Sequence, residues 1–288
     1  RAQDPHFSQF FAIPQLLNPA FTGDVAGPRF AFNYRAQWVN IPNSFRTFSA
    51  NYDMPLRIGN TLNGVGVTFM NDQAGVGDLT NMYATLNYAF AIEFNEYSQL
   101  RFGLSGGIQY TNIDFFALRF PDQVSRQLGN PGTDPGPTRE FLNGVPDNSR
   151  VLEHINFGAV WRSRFYFVGA NVNNLTQPEQ DLIPGNLSSG FQGQTEPSQR
   201  LPIRIGGFAG ANLPLDRDLE GDIAVIPVVM AQWQKPFTII NYGVNFYLEP
   251  IQVGVYHRAL NNDAIVGMVG LKKGLFSFGY SFDFTLSD

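Results

Sequence analysis

Leu100-Arg101-Phe102-Gly103-Leu104-Ser105-Gly106-Gly107-Ile108-Gln109-Tyr110-Thr111-Asn112 alternates along its length. Leu100, Phe102, Leu104, Ile108 and Tyr110 fall on one face; Arg101, Gly103, Ser105, Gly107, Gln109 and Thr111 fall on the other. Successive strand side chains point to opposite sides of a sheet, so this is a strand with one apolar and one polar face. It is about twice as long as the ~5–6 residues usual in soluble sheets and covers the ~9–11 that a membrane-crossing strand needs.

The same pattern repeats outward in both directions. Met82 to Ile92 sets Met82, Ala84, Leu86, Tyr88, Phe90 and Ile92 against Tyr83, Thr85, Asn87 and Ala89. Near the C-terminus Phe276, Phe278, Tyr280, Phe282 and Phe284 oppose Ser277, Gly279, Ser281 and Asp283. The periodicity predicts thirteen strands, at 29–38, 44–53, 63–70, 79–92, 98–113, 152–162, 165–175, 201–212, 222–234, 236–248, 250–259, 264–271 and 274–286. Helical periodicity is not evident, and an extra element over 7–17 is disfavoured as a strand by its prolines.

Which face is wet follows from residue type. The polar faces carry Gly, Ser, Thr, Asn and Gln with some Arg, where a soluble sandwich would show Lys and Glu. The apolar faces carry rows of Phe, Tyr, Val, Ile and Leu. That arrangement fits an apolar-out, polar-in barrel. Charged residues make up 15% of the 288-residue chain, below the ~25% of soluble domains. Aromatics reach 14%, and mean hydropathy is −0.14, too low for a bundle of membrane helices. No apolar run approaches the ~18 residues of a membrane helix. Trp38, Trp161 and Trp233 sit near strand ends, where an aromatic girdle belongs. The competing assignment is three core tryptophans of a soluble β-protein.

Connection lengths predict the topology. Ser163-Arg164, Glu249-Pro250 and Lys272-Lys273-Gly274 are tight and lead from even to odd strands. The long connections 114–151 and 176–200 lead from odd to even strands, so they share the other rim. Short periplasmic turns and long outer loops are the pattern of an up-and-down outer-membrane barrel, with the N-terminus periplasmic. Gln234-Lys235-Pro236 and Leu213 to Gly221 depart from it. Bacterial single-chain barrels have even strand numbers, so thirteen implies a further strand after Asp288 or a miscount. The organisation expected is an N-terminal segment, 1–28, that plugs the lumen or docks in the periplasm, followed by the barrel, 29–288. Ala2–Gln3 is a plausible cleavage site, with Arg1 and Ala2 as signal remnants.

Composition excludes several functions. A net charge of −5 and a pI near 5.2 speak against nucleic-acid binding. The absence of Cys removes disulfides, thiol nucleophiles and Cys-based metal sites. Three histidines, His6, His154 and His257, leave little material for a metal centre. His6 is expected to pack or hydrogen-bond within the N-terminal segment, and the other two to be interfacial or lumenal polar residues. No motif for hydrolysis or nucleotide binding is present; Gly103-Leu104-Ser105-Gly106-Gly107 lies mid-strand, not at a strand–helix turn. No catalytic residue, metal or cofactor is expected.

Two groups point to binding. By alternation Arg35, Arg101, Arg162, Arg204 and Arg258 face the lumen, with Asp283 the clearest inward acid. Their five fixed donors either brace the wall or receive an acidic or carbonyl-rich segment of a partner. Phe115, Phe116, Leu118, Phe120, Phe141 and Leu142 are too apolar for a freely solvated loop and are candidates for covering the mouth or binding a partner.

The sharpest local feature is N-terminal: Gln3-Asp4-Pro5-His6-Phe7-Ser8-Gln9-Phe10-Phe11, then Asn18-Pro19-Ala20-Phe21-Thr22-Gly23. It resembles the opening of the PorP/SprF family, outer-membrane proteins of the type IX secretion system of Bacteroidota. Phe276-Ser277-Phe278-Gly279-Tyr280-Ser281-Phe282-Asp283 resembles that family's penultimate strand. The resemblance implies an integral outer-membrane barrel of about 14 strands with no enzymatic role. It implies support for secretion and surface anchoring of a dedicated large partner, adhesin-like, with a C-terminal sorting domain, in some members for gliding motility. Periplasmic type IX components or a lipoprotein, and outer-membrane lipid, are further implied partners. The alternative is a passive channel or hydrophobic-solute transporter with an N-terminal plug.

Overall fold

The computed structural model describes residues 13–38, 44–75, 77–114, 117–118, 121–129, 149–179, 200–215, 223–260 and 264–286. Fourteen strands form one antiparallel sheet in chain order, an up-and-down β-barrel. They are β1 (Arg29–Gln37), β2 (Phe45–Ile58), β3 (Thr61–Ala74), β4 (Leu79–Asn95), β5 (Ser98–Asn112), β6 (Ser149–Arg162), β7 (Tyr166–Asn173), β8 (Arg204–Ala211), β9 (Leu213–Pro214), β10 (Ile223–Gln234), β11 (Phe237–Leu248), β12 (Ile251–Ala259), β13 (Ala264–Lys273) and β14 (Phe276–Thr285). β9 continues β8 past Asn212 and pairs with β10 as β8 does, so the thirteen periodic stretches are thirteen strands in space. β1 and β14 therefore run in the same direction. Across the gap between them Arg35 Nη2 lies 4.0 Å from Asp283 Oδ2, and Arg258 Nη1 of β12 lies 3.3 Å from the same oxygen.

The outward faces are the apolar ones. Phe30, Phe32 and Tyr34 of β1, Leu104 and Ile108 of β5, and Val253 and Val255 of β12 are all exposed. In water such a surface would aggregate; a hydrocarbon environment accounts for it. Trp38, Trp161 and Trp233 are likewise exposed, Trp38 and Trp233 toward the rim of long loops and Trp161 toward the rim of short links. Among the described residues no helix is long and apolar enough to cross a membrane.

The inward faces depart from expectation on one side. β2 to β7 present Ser49, Asn51, Thr68, Asn87, Ser105 and Asn171, as anticipated. β8, β10, β12 and β13 instead present Phe208, Val228, Met230, Tyr256 and Val266, which pack into one apolar cluster. β10 is apolar on both faces from Ile223 to Ala231, so alternation alone could not show which of its faces turns to the lumen. The interior thus carries an apolar patch on this side, beside the buried polar residues Gln232, Asn241, Asn245 and Arg258.

Two helices were not anticipated by periodicity. A four-residue helix, α1 (Pro14–Leu17), opens with Pro at its first turn, where the missing N–H costs nothing. A second, α2 (Pro121–Gly129), lies in the long connection between β5 and β6. The rims are as predicted: Gly59-Asn60, Glu96-Tyr97, Glu249-Pro250 and Gly274-Leu275 link strands at one end, while the long β5–β6 and β7–β8 connections lie at the other.

Candidate functional site: a stoppered lumen

Residues 13–24 lie inside the barrel. A 3-10 turn, Pro19–Phe21, follows α1. Asn18 caps it: its Oδ1 accepts from the Ala20 N–H at 2.9 Å, and Pro occupies the first helical position. Its amide nitrogen points the other way, donating to the wall carbonyls of Ala159 at 3.3 Å and Ala170 at 2.9 Å. One side chain therefore folds the turn and fastens it to β6 and β7.

The wall is bare where the segment touches it. A β-carbon on Gly158 would collide with the Asn18 amide, one on Gly103 with Pro19 and Ala20, and one on Gly64 with Thr22. Gly23 is needed for two reasons: its φ is +66°, and a side chain there would meet Gly64 and the Met54 carbonyl. The turn's other face is apolar. Phe21 stacks on Phe208 with centroids 5.4 Å apart, and Leu17 and Ala20 join the apolar cluster of the wall. The segment is amphipathic in the same sense as the barrel interior.

Two charged latches close the bottom. Arg101 is fully buried; its Nε donates to the Ala20 carbonyl at 2.9 Å and its Nη2 to the Thr22 carbonyl at 2.7 Å. Asp24 accepts from Arg162 Nη1 at 2.9 Å and lies 3.9 Å from Arg101 Nη1. Asp53 receives the Gly23 N–H at 2.8 Å and a forked pair of bonds from Arg29, both at 2.9 Å. Charge-assisted, forked pairs of this kind are the strong class of hydrogen bond.

Of the five inward arginines anticipated, two therefore hold the stopper, Arg101 and Arg162. Arg35 and Arg258 share Asp283 at the gap between β14 and β1, and Arg204 stands at the start of β8. Asn18, Pro19, Ala20 and Gly23 are in the stopper; Gln3, Asp4, Pro5, His6, Phe7, Ser8 and Gln9 lie outside the described residues. So do Phe115, Phe116, Phe120, Phe141 and Leu142. Leu118 packs against the β3–β4 link, where a β-carbon on Gly77 would meet it. His154 is lumenal, with Nδ1 2.9 Å from Asn174 Oδ1 and Nε2 2.7 Å from Gln109 Oε1. His257 faces outward, its ring 5.2 Å from that of Tyr242.

Sequence reasoning missed the inward acids Asp24, Asp53 and Asp72. For Asp53 and Asp72 the signal was available: the alternation that turns Ser49 and Asn51, or Thr68 and Met70, inward also turns them inward. Among the described residues no cluster of three or more His, Asp or Glu could hold a metal ion.

The arrangement can block the lumen and bind a chain through fixed donors. Replacing Asn18 by Ala removes three hydrogen bonds and strands two wall carbonyls. At about 1 kcal/mol per bond the stopper should be held ~2–4 kcal/mol more weakly. Asp at the same place should be worse, because a carboxylate would face the two carbonyls. The midpoint of urea unfolding in detergent, followed by tryptophan fluorescence, reads both.

A family model described as type IX secretion system membrane protein PorP/SprF matches residues 1–288, the whole chain. No curated protein matches it.

Proposed function

Because the chain belongs to the PorP/SprF family of type IX secretion system membrane proteins, we propose that it sits in the outer membrane and anchors a dedicated secreted protein at its long-loop mouth. The partner is a large surface protein, adhesin-like, carrying a C-terminal sorting domain, and its attachment serves surface display or gliding. The chain acts by binding and catalyses nothing.

The observation that carries this reading is the stopper. A lumen closed by residues 18–24, with Arg101 fully buried against their carbonyls, is poorly suited to a through-channel. It is well suited to a platform that must not leak while a partner is held at the other rim. The long connections that share that rim offer binding surface, with Phe115, Phe116, Leu118, Phe120, Phe141 and Leu142 as the proposed contacts.

Affinity isolation from native outer membranes in mild detergent, with mass spectrometry, is the test. One large secreted protein with a C-terminal sorting domain should co-purify in near-equal amount, and excising 114–151 should deplete it while the barrel remains folded. Recovery of the barrel alone, or with lipid only, would sink the proposal and favour the solute-transporter alternative.

A further inference from the structure

Glu153 is out of place on the barrel. By alternation it is the one carboxylate that the described strands turn outward; Asp53, Asp72, Glu93 and Asp283 turn inward. It is exposed on the outer face of β6. Apolar residues flank it on both sides, all exposed: Val151 and Tyr110 toward the long-loop rim, Ile155 and Phe157 toward the other. The cations of the long-loop rim do not serve it, since Arg150 and Arg200 lie against Glu179, at 3.8 and 3.6 Å. A charge on the lipid side of a barrel is unfavourable without a partner, so an unshielded carboxylate there marks a site whose partner is a cation.

Glu153 stands at the head of a groove. The strand register runs unbroken from Phe32 through Ala50, Phe69, Ala84 and Ile108 to Glu153. Ala50, Ala84 and Gly106 leave a hollow of about 590 Å³ across the outer face of β1 to β5, walled by Phe30, Phe32, Phe69, Leu86 and Ile108. No charged residue lines it among the described residues. At ~4.8 Å per strand the row is about 24 Å long, more than the ~15 Å of half a hydrocarbon core. The row also climbs. Phe32 is three residues above the short-link end of β1 at Arg29, whereas Glu153 is nine above that of β6 at Arg162. The groove therefore runs from low on the membrane-facing wall up to a carboxylate near the outer rim.

We infer that this groove and Glu153 hold one membrane lipid whose headgroup carries an ammonium. The ammonium pairs with the Glu153 carboxylate, and an acyl chain lies along the groove toward Phe32. A polar head above an uncharged channel is the division of chemistry that a lipid has. The inference takes the membrane placement from the proposed function and needs no secreted partner.

Native mass spectrometry of the full chain released from detergent tests this, with phosphatidylethanolamine and phosphatidylglycerol as probes. One phosphatidylethanolamine per barrel should survive activation that strips phosphatidylglycerol. Glu153→Gln should lower its retention about tenfold, the loss expected for one charge-assisted bond. Gly106→Phe should lower it too, by filling the groove; a β-carbon at Gly106 meets nothing within 4 Å, so the barrel should form. Equal retention of the two lipids would overturn the inference. So would phosphatidylethanolamine retention that either variant leaves unchanged, in a barrel that keeps its heat-modifiable migration. Lipid retention is read without a secreted partner, so failure of the anchoring proposal leaves it intact. A chain that stays soluble without detergent would instead remove the membrane placement itself.

Discussion

Removing residues 1–24 is expected to turn a silent barrel into a conducting one. In planar bilayers the full chain should show no stable steps, whereas the truncated chain should show discrete, long-lived ones. The reason lies in the wall that the stopper covers. Gly64, Gly103 and Gly158 have no side chains with which to fill the space it leaves. The exposed interior would also be cationic, since Arg101 and Arg162 lose Asp24 and the carbonyls of Ala20 and Thr22. The current should therefore prefer anions and fall in selectivity as salt is raised. Silence of the truncated barrel, with its heat-modifiable migration intact, would show that something other than this segment closes the lumen.

Arg101→Met, in the wall, should loosen the stopper more than any other single substitution. It removes two charge-assisted bonds and leaves the buried carbonyls of Ala20 and Thr22 short of donors, while Asp24 keeps its bond from Arg162. Hydrogen bonds from a charged donor contribute about 1.5–3 kcal/mol each, so losing both costs about 3–5 kcal/mol. The barrel should still form, because its ladders are untouched, but the segment should be released much of the time. Bursts of conductance and a lower urea midpoint are the expected signs. Arg101→Lys should rescue poorly: an ammonium is a point charge, and the two carbonyls are reached here by two nitrogens of one planar fork. A full rescue by Lys would mean that charge alone, not the fork, holds the segment.

Much of this architecture is legible in the sequence because the driving pattern is local. Most strands in the sheet are announced by a two-residue period, and the ranges read for them fall close to those observed, as with 98–113 against Ser98–Asn112. The short and long rims follow from loop lengths. What was not legible is what depends on contacts distant in sequence. Asn18 announces a capped turn through the Pro that follows it, but nothing near it indicates that its other amide hydrogens reach Ala170, 152 residues away. Arg101 reads as one more inward polar residue; its burial under Ala20 and Thr22 depends on a segment 79 to 81 residues earlier. The apolar patch of the interior was hidden because β10 is apolar on both faces, which cancels the period there. α2 was hidden because a helix of this kind sits in a connection, where no strand pattern frames it.

The span of the stopper's bonds also sets an order of assembly. Its hydrogen-bond partners appear along the chain at Asp53, Thr68, Gln99, Arg101, Ala159, Arg162 and Ala170. The segment is synthesised before any of these strands yet cannot be fully seated until β8, with Phe208, exists, and contacts of such separation close late. During insertion the nascent sheet must carry Arg101 in water, open on its inner side, with the N-terminal residues still outside the closing curve. The cork is made before the bottle and goes in near the end. A chaperone that holds residues 13–24 away from the sheet would thus regulate maturation without touching a single strand.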